Sequence, residues 1–181
     1  MESILIVYKS GTGFTKRYAM WIAEKIACQT VPFNQINNVD MNNYDIIIYG
    51  AGICGGRISG LKKFKQKAFN LSGKKIIVYA SGAAPYTEEI VSGIKEVNFT
   101  AKELNVIEFF YFQSGLSYER MGLKEKILMK SYSKILELRK NKSDIDAGTS
   151  EALAKSYDYS SREQIKPVGD YLQKLISESA V

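Results

Sequence analysis

Four blocks of apolar residues punctuate the chain: Ile4 to Val7, Ile46 to Tyr49, Ile76 to Ala80 and Val106 to Phe112. They are mostly β-branched or aromatic and show little of the alternation that a half-solvated strand needs, so they predict strands buried on both faces. Between them apolar residues recur at helical spacing: Phe14, Tyr18, Trp21, Ile22 and Ile26, then Leu61, Phe64 and Ala68, then Ile90, Ile94, Val97 and Ala101. Stripes of this kind predict helices that cover a sheet. Gln29 to Phe33 predicts a weaker strand, placed at an edge by Pro32, and the polar stretch Asn34 to Asn43 has room for a short helix at most.

Strands alternating with helices imply right-handed crossovers and an α/β architecture: a doubly wound, five-stranded parallel sheet with helices on both faces. Ligands of such sheets bind beyond the carboxyl ends of the strands, which directs attention to the loops after the first, third and fourth strands. Further on, Leu123 to Leu138 is amphipathic and basic, Asn141 to Ser150 is a polar linker, and Ile165, Val168, Leu172, Leu175 and Ile176 mark a final helix. Ser160 with Glu163 has the form of a capping box for that helix, whereas Pro167 argues that it begins near the proline or kinks there. The whole chain, 1–181, reads as one domain, with a basic helical segment at about 120–142 and a C-terminal helix at about 161–179.

Composition narrows the chemistry. There is no histidine, which removes Ser-His-Asp and Cys-His catalysis, imidazole proton shuttling and most zinc sites. Cys28 and Cys54 are too few for a disulfide framework and lack metal-ligand spacing, so they are expected as free thiols, Cys28 in a helix and in the core. No stretch approaches the roughly 20 uncharged apolar residues of a membrane span, and Met1 leads directly into a strand pattern; a cytoplasmic location is expected. A net charge of +6 suits an anionic ligand or an acidic partner, or serves solubility alone.

Directly after the first strand come Ser10, Gly11, Thr12, Gly13, Phe14 and Thr15, and the first helix opens there. Glycines free the backbone to turn its N–H groups inward, the hydroxyls add donors, and the helix N-terminus adds partial positive charge, which together make a phosphate cradle. The alternative is a loop whose Ser and Thr only cap the helix. A nucleotide-hydrolase P-loop is excluded because Phe14 follows Gly13 where Lys is required. Gly50, Gly52 and Gly55 spell a dinucleotide fingerprint, but no Asp or Glu lies between Asp45 and Glu88 to hold a ribose, and glycines at 55, 56 and 60 would cripple a helix there.

The pattern Ser10-x-Thr12-Gly13-x-Thr15, between strand and helix, resembles the FMN phosphate loop of flavodoxins. The loop Gly50, Ala51, Gly52, Ile53, Cys54, Gly55, Gly56, Arg57, Ile58 resembles the flavin loop of flavodoxin-domain proteins related to menaquinone-dependent protoporphyrinogen oxidase, with Arg57 where those oxidases tend to have His. The resemblance implies a flavodoxin-like sheet of order 2-1-3-4-5 and FMN as cofactor. It also implies a phosphate held by Ser10, Gly11, Thr12, Gly13, Phe14 and Thr15, and a ring flanked by Gly52, Ile53, Cys54, Gly55 and Gly56 and by Ser81, Gly82, Ala83 and Tyr86. Glycines beside the flavin would allow a peptide to reorient on reduction. Tyr86 is the candidate for stacking on the ring, or else a surface aromatic beside Pro85. The implied function is an FMN-dependent oxidoreductase, protoporphyrinogen-dehydrogenase-like or quinone-linked, with the flavin itself as the reactive group and no metal. The alternative is a non-enzymatic electron carrier between protein partners.

From Arg57 to Lys75 there are seven basic residues and no acidic one, with Lys62, Lys63, Lys65 and Lys67 expected on the solvated face of a helix. Such a face serves solubility, or docks an acidic redox protein or an anionic substrate. Residues 120–142 would suit peripheral contact with a quinone-bearing membrane or packing onto the domain. No nucleic-acid recognition motif accompanies the charge.

Overall fold

The computed structural model describes residues 2–123, 126–127, 129–131, 134 and 155–178. Most of the basic segment expected at 120–142, and the linker expected at 141–150, fall outside the described residues. The strands are β1 (Ile4–Lys9), β2 (Gln29–Pro32), β3 (Ile46–Cys54), β4 (Arg57–Ile58), β5 (Lys75–Gly82), β6 (Ile107–Gln113), β7 (Gly115–Leu116) and β8 (Tyr157–Asp158). The helices are α1 (Phe14–Lys25), α2 (Leu61–Ala68), α3 (Glu88–Asn98), α4 (Ala101–Leu104) and α5 (Lys166–Glu178). The main sheet runs β2-β1-β3-β5-β6 with every neighbour parallel, and β4 folds back antiparallel on the end of β3. Counting only the parallel strands, this is the expected order 2-1-3-4-5. A separate ribbon pairs β7 with β8.

The apolar runs are uninterrupted because alternate residues enter two different cores. Leu5, Val7, Ile47, Tyr49, Ile76 and Val78 join Leu61, Phe64 and Ala68 of α2 and Ile94 of α3 on one face. Ile4, Ile6, Ile46, Ile48, Ile77 and Tyr79 join Tyr18, Ala19 and Ile22 of α1 and Val168 and Leu172 of α5 on the other. β2 lies at the sheet edge, where Pro32 needs no ladder donor, and Asn34 to Asn43 is spanned by two short 3-10 turns.

Local details depart from the expected periodicity. The stripe Ile90, Ile94, Val97, Ala101 does not belong to one helix: Phe99 is extended, Thr100 and Glu103 form a capping box that restarts the chain as α4, and Val97 is 50% exposed. Cys28 lies past the end of α1, half-buried against the α1 and α5 core, where burial pushes its thiol up to about 11. The cap before the final helix is Ser161 rather than Ser160; it accepts from the Glu163 N–H and opens a 3-10 turn, after which α5 starts at Lys166 with Pro167 in its first turn. Lys65 is not on a solvated face, since its ammonium donates to the Asn98 carbonyl at 2.6 Å and to Glu103 at 2.8 Å.

Gly50 stands between Tyr8 and Tyr79 in register, and a Cβ on it would lie 1.9 Å from the Tyr79 ring. Gly50→Ala is therefore expected to destabilise the fold by about 1–3 kcal/mol as an overpacking substitution, read from the urea unfolding midpoint.

Candidate functional site

The carboxyl ends of β1, β3, β5 and β6 bring four connections to one edge of the sheet. In the first, Gly13 is the residue before α1, has φ of 96°, and carries no side chain to cap the helix. Only glycine holds that left-handed conformation without strain, and its bareness leaves the first-turn N–H groups uncapped by a side chain. The Gly13 N–H donates to Ser10 Oγ at 3.1 Å, so the Ser10 hydroxyl proton is free to donate outward. The Thr12 hydroxyl has no partner among the described residues. Phe14 buries its ring beneath the Arg17 guanidinium, 5.5 Å from the ring centre, and offers the loop its main chain.

Thr15 faces inward. Its hydroxyl shares a 2.7 Å hydrogen bond with the hydroxyl of Ser81, both side chains being buried. Tyr79 passes over Gly50 and donates to the Thr15 carbonyl at 3.0 Å, and burial drives the Tyr79 phenol well above its ordinary range. Tyr18 donates to the Gln113 carbonyl, which ties α1 to the end of β6; burial pushes that phenol up to about 12.

The Gly52 to Gly56 segment is a β-hairpin. Ile53 pairs with Ile58 and Cys54 with Arg57, and Gly55 and Gly56 form the two-residue turn, both with positive φ. No helix follows these glycines directly, so the dinucleotide fingerprint is not built. Asn98, at the end of α3, clamps the hairpin: its Oδ1 accepts from the Ile58 N–H and its Nδ2 donates to the Gly56 carbonyl, both at 2.8 Å. After β5, Tyr111 donates to the Ala84 carbonyl at 2.6 Å, holding the Gly82 and Ala83 loop, while Tyr86 is 64% exposed with its ring 6.4 Å from Tyr111. Cys54 is exposed.

The fourth connection adds groups that no local pattern announced. The nearest atom to a Cβ built on Gly13 is a guanidinium nitrogen of Arg120, at 3.2 Å, and no carboxylate pairs with Arg120 among the described residues. A cation against the positive end of a helix is repulsive by itself and favourable once an anion lies between them. β8 crosses over the same edge, where Asp158 pairs with Arg17, and Arg17 also donates to Ser160 at 2.6 Å. Partial burial raises the Asp158 carboxyl, but hydrogen bonds from Ser160 and Arg17 outweigh it and leave it below its ordinary 3.8. Ser10, Thr12, the bare helix start and Arg120 thus have the donors and charge that suit a phosphate, and Gly52 and Ser81 adjoin Thr15. Arg120 and Asn98 reach the site from distant sequence, and no local pattern marks either of them.

Two outcomes are expected. Asn98→Ala removes both ties to the hairpin, so the Ile58 amide should exchange with solvent at least about tenfold faster by hydrogen-exchange NMR, with about 1–3 kcal/mol of stability lost. Because Asp158 is lowered in the folded state, its contribution is complete above 3.8 and is lost as pH falls through the lower folded value. Acid unfolding of Asp158→Asn should lack that component, seen as a shallower dependence of the thermal midpoint on pH below 4.

A family model described as "Flavodoxin domain" matches residues 5–144. Among solved structures, a flavoprotein in complex with FMN from Lactobacillus acidophilus is 17% identical, covering 62% of this chain and 93% of its own, with a TM-score of 0.41. The Trp repressor binding protein from Bacillus subtilis is 12% identical, covering 77% of this chain and 99% of its own, at 0.46. An NADH:FMN oxidoreductase in its apo form is 14% identical, covering 85% and 87%, at 0.41. No curated protein matches the chain. With the family model spanning most of the sequence, the chain belongs to the flavodoxin domain family.

Proposed function

We propose that this protein is an FMN-dependent oxidoreductase. The observation that carries the reading is the Arg120 guanidinium set over Gly13 at the start of α1, a pairing of positive groups that a phosphate monoester would reconcile. In this reading Ser10, Thr12, the N–H groups of the loop and Arg120 hold the phosphate. Thr15 and Ser81 fix α1 against β5, and the Gly52 to Gly56 hairpin and the Ser81 to Tyr86 loop border the ring. Bound FMN supplies hydride or one-electron transfer at its N5 edge. The chain's part is to exclude water, orient the ring and present the hairpin N–H groups, with Asn98 holding the Gly56 carbonyl in a fixed direction.

A quinone or a porphyrinogen is the substrate class we assign, on the resemblance of the Gly50 to Ile58 loop. The exposure of Cys54 and Arg57 at the same rim favours a second reading, an electron carrier that meets its partners there. FMN titrated into the apoprotein should bind near equimolar. Arg120→Ala or Thr12→Ala should weaken binding roughly 10-fold or more, as loss of a charge-assisted or neutral hydrogen bond predicts. A protein that binds no FMN at high micromolar concentration overturns the proposal. Turnover with quinones or porphyrinogens supports the enzyme; slow reaction with every small acceptor but rapid exchange with a protein supports the carrier.

A further inference from the structure

Charge is segregated along the first half of the chain. Residues 3–23, 25–39 and 46–87 contain no Asp or Glu. The four acidic residues that precede Glu88 all sit toward the amino edge of the sheet: Asp45 accepts from the Ser3 N–H beside the start of β1, Asp40 caps the short turn before β3, Glu24 is in the last turn of α1 and pairs with Arg162, and Glu2 precedes β1. At the carboxyl edge the part formed by β1 and α2 is basic, and the exposed acids there, Glu88 and Glu89, stand in the first turn of the neighbouring helix α3. Lys9, at the end of β1, and Lys63, in the first turn of α2, both lie over the Phe33 ring, at 5.4 and 6.0 Å from its centre. Lys62 stands beside Lys63 in the first turn of α2. Lys9, Lys62 and Lys63 are all exposed. Glu103, which does reach α2, is taken by Lys65.

We infer that this face, made of Lys9, Phe33, Lys62 and Lys63, docks an acidic electron-transfer protein. The inference rests on the proposed function in that the face borders the hairpin beside the candidate flavin site. The charge pattern favours a partner with clustered carboxylates, because unpaired cations of one sign steer an opposite surface and repel a like one. The half-buried Phe33 gives the contact an apolar centre between two ammonium groups.

The test titrates the FMN-loaded protein with an acidic plant-type ferredoxin, followed by calorimetry, at about 20 and about 200 mM salt. Affinity should fall roughly 10-fold between the two salts, and roughly 10-fold at low salt in the double variant Lys62→Glu, Lys63→Glu, with Lys62→Arg, Lys63→Arg retaining it. Acidic residues suit the first turn of α2, so the reversed variant should keep its thermal midpoint and its flavin spectrum. Equal affinity in the reversed variant, indifference to salt, or equal binding of a basic cytochrome overturns the inference. So does tighter capture by phosphatidylglycerol vesicles or by single-stranded RNA, which would assign the face to another class of partner. If the protein takes up no FMN, the proposed function fails, while the ferredoxin titration of that same protein still decides the docking face.

Discussion

Ile6 lies beside Ile48, and Ile48 beside Ile77, in a row across the middle of the sheet, and none of the three touches solvent. Helices seal both faces, so a polar side chain inside these strands has to find its partner within the protein. Chemistry is thereby displaced to the strand ends, where Ser10, Gly52, Ser81 and Gln113 stand at one edge. Tyr79 shows the constraint at work, as does Tyr49, whose phenol donates to the Ser59 carbonyl. The Tyr79 phenol is inside the sealed layer, and it is accommodated because Gly50 clears its path and the Thr15 carbonyl accepts its hydrogen bond. The same bond fixes the first turn of α1, so packing within the sheet sets where the loop before that helix stands.

The five parallel strands were legible because burial on both faces leaves a simple trace, a short block of β-branched and aromatic residues. The break between α3 and α4 was written in Thr100 and Glu103, but the apolar period of Ile90, Ile94, Val97 and Ala101 runs through it and masks it. Periodicity reports a possible face, whereas a cap decides where the backbone stops. The hairpin was similarly present in the sequence: two glycines between Ile53-Cys54 and Arg57-Ile58 are a turn signal, read instead as a ligand loop. Both readings are compatible, since a two-residue turn with positive φ also presents bare backbone at the site edge. What no local pattern carries is the contact of Arg120 with Gly13, or of Asn98 with Gly56, 42 residues away. These arise from the crossovers, which bring distant segments over one edge of the sheet.

The Asn98 clamp shows how the fold supports such an exposed feature. A two-stranded hairpin of this length is marginal in water. Here it gains two hydrogen bonds from the end of α3, while Lys65 from α2 holds the Asn98 carbonyl and the carboxylate of Glu103 in α4. Three helices on one face are thus tied to the hairpin, at Gly56 in its turn and at Ile58 in its second strand.

Thr15 is the one residue of the phosphate-loop pattern whose hydroxyl is committed elsewhere, and the proton count shows that this does not remove it from the site. Thr15 and Ser81 share a single hydrogen bond of 2.7 Å in which either hydroxyl can be the donor. Two hydroxyls carry two protons and one bond uses one, so a second proton is always left over. When Ser81 donates, the Thr15 proton is free to turn toward the loop and an anion there; when Thr15 donates, the free proton belongs to Ser81, on the strand after which the second flanking loop begins.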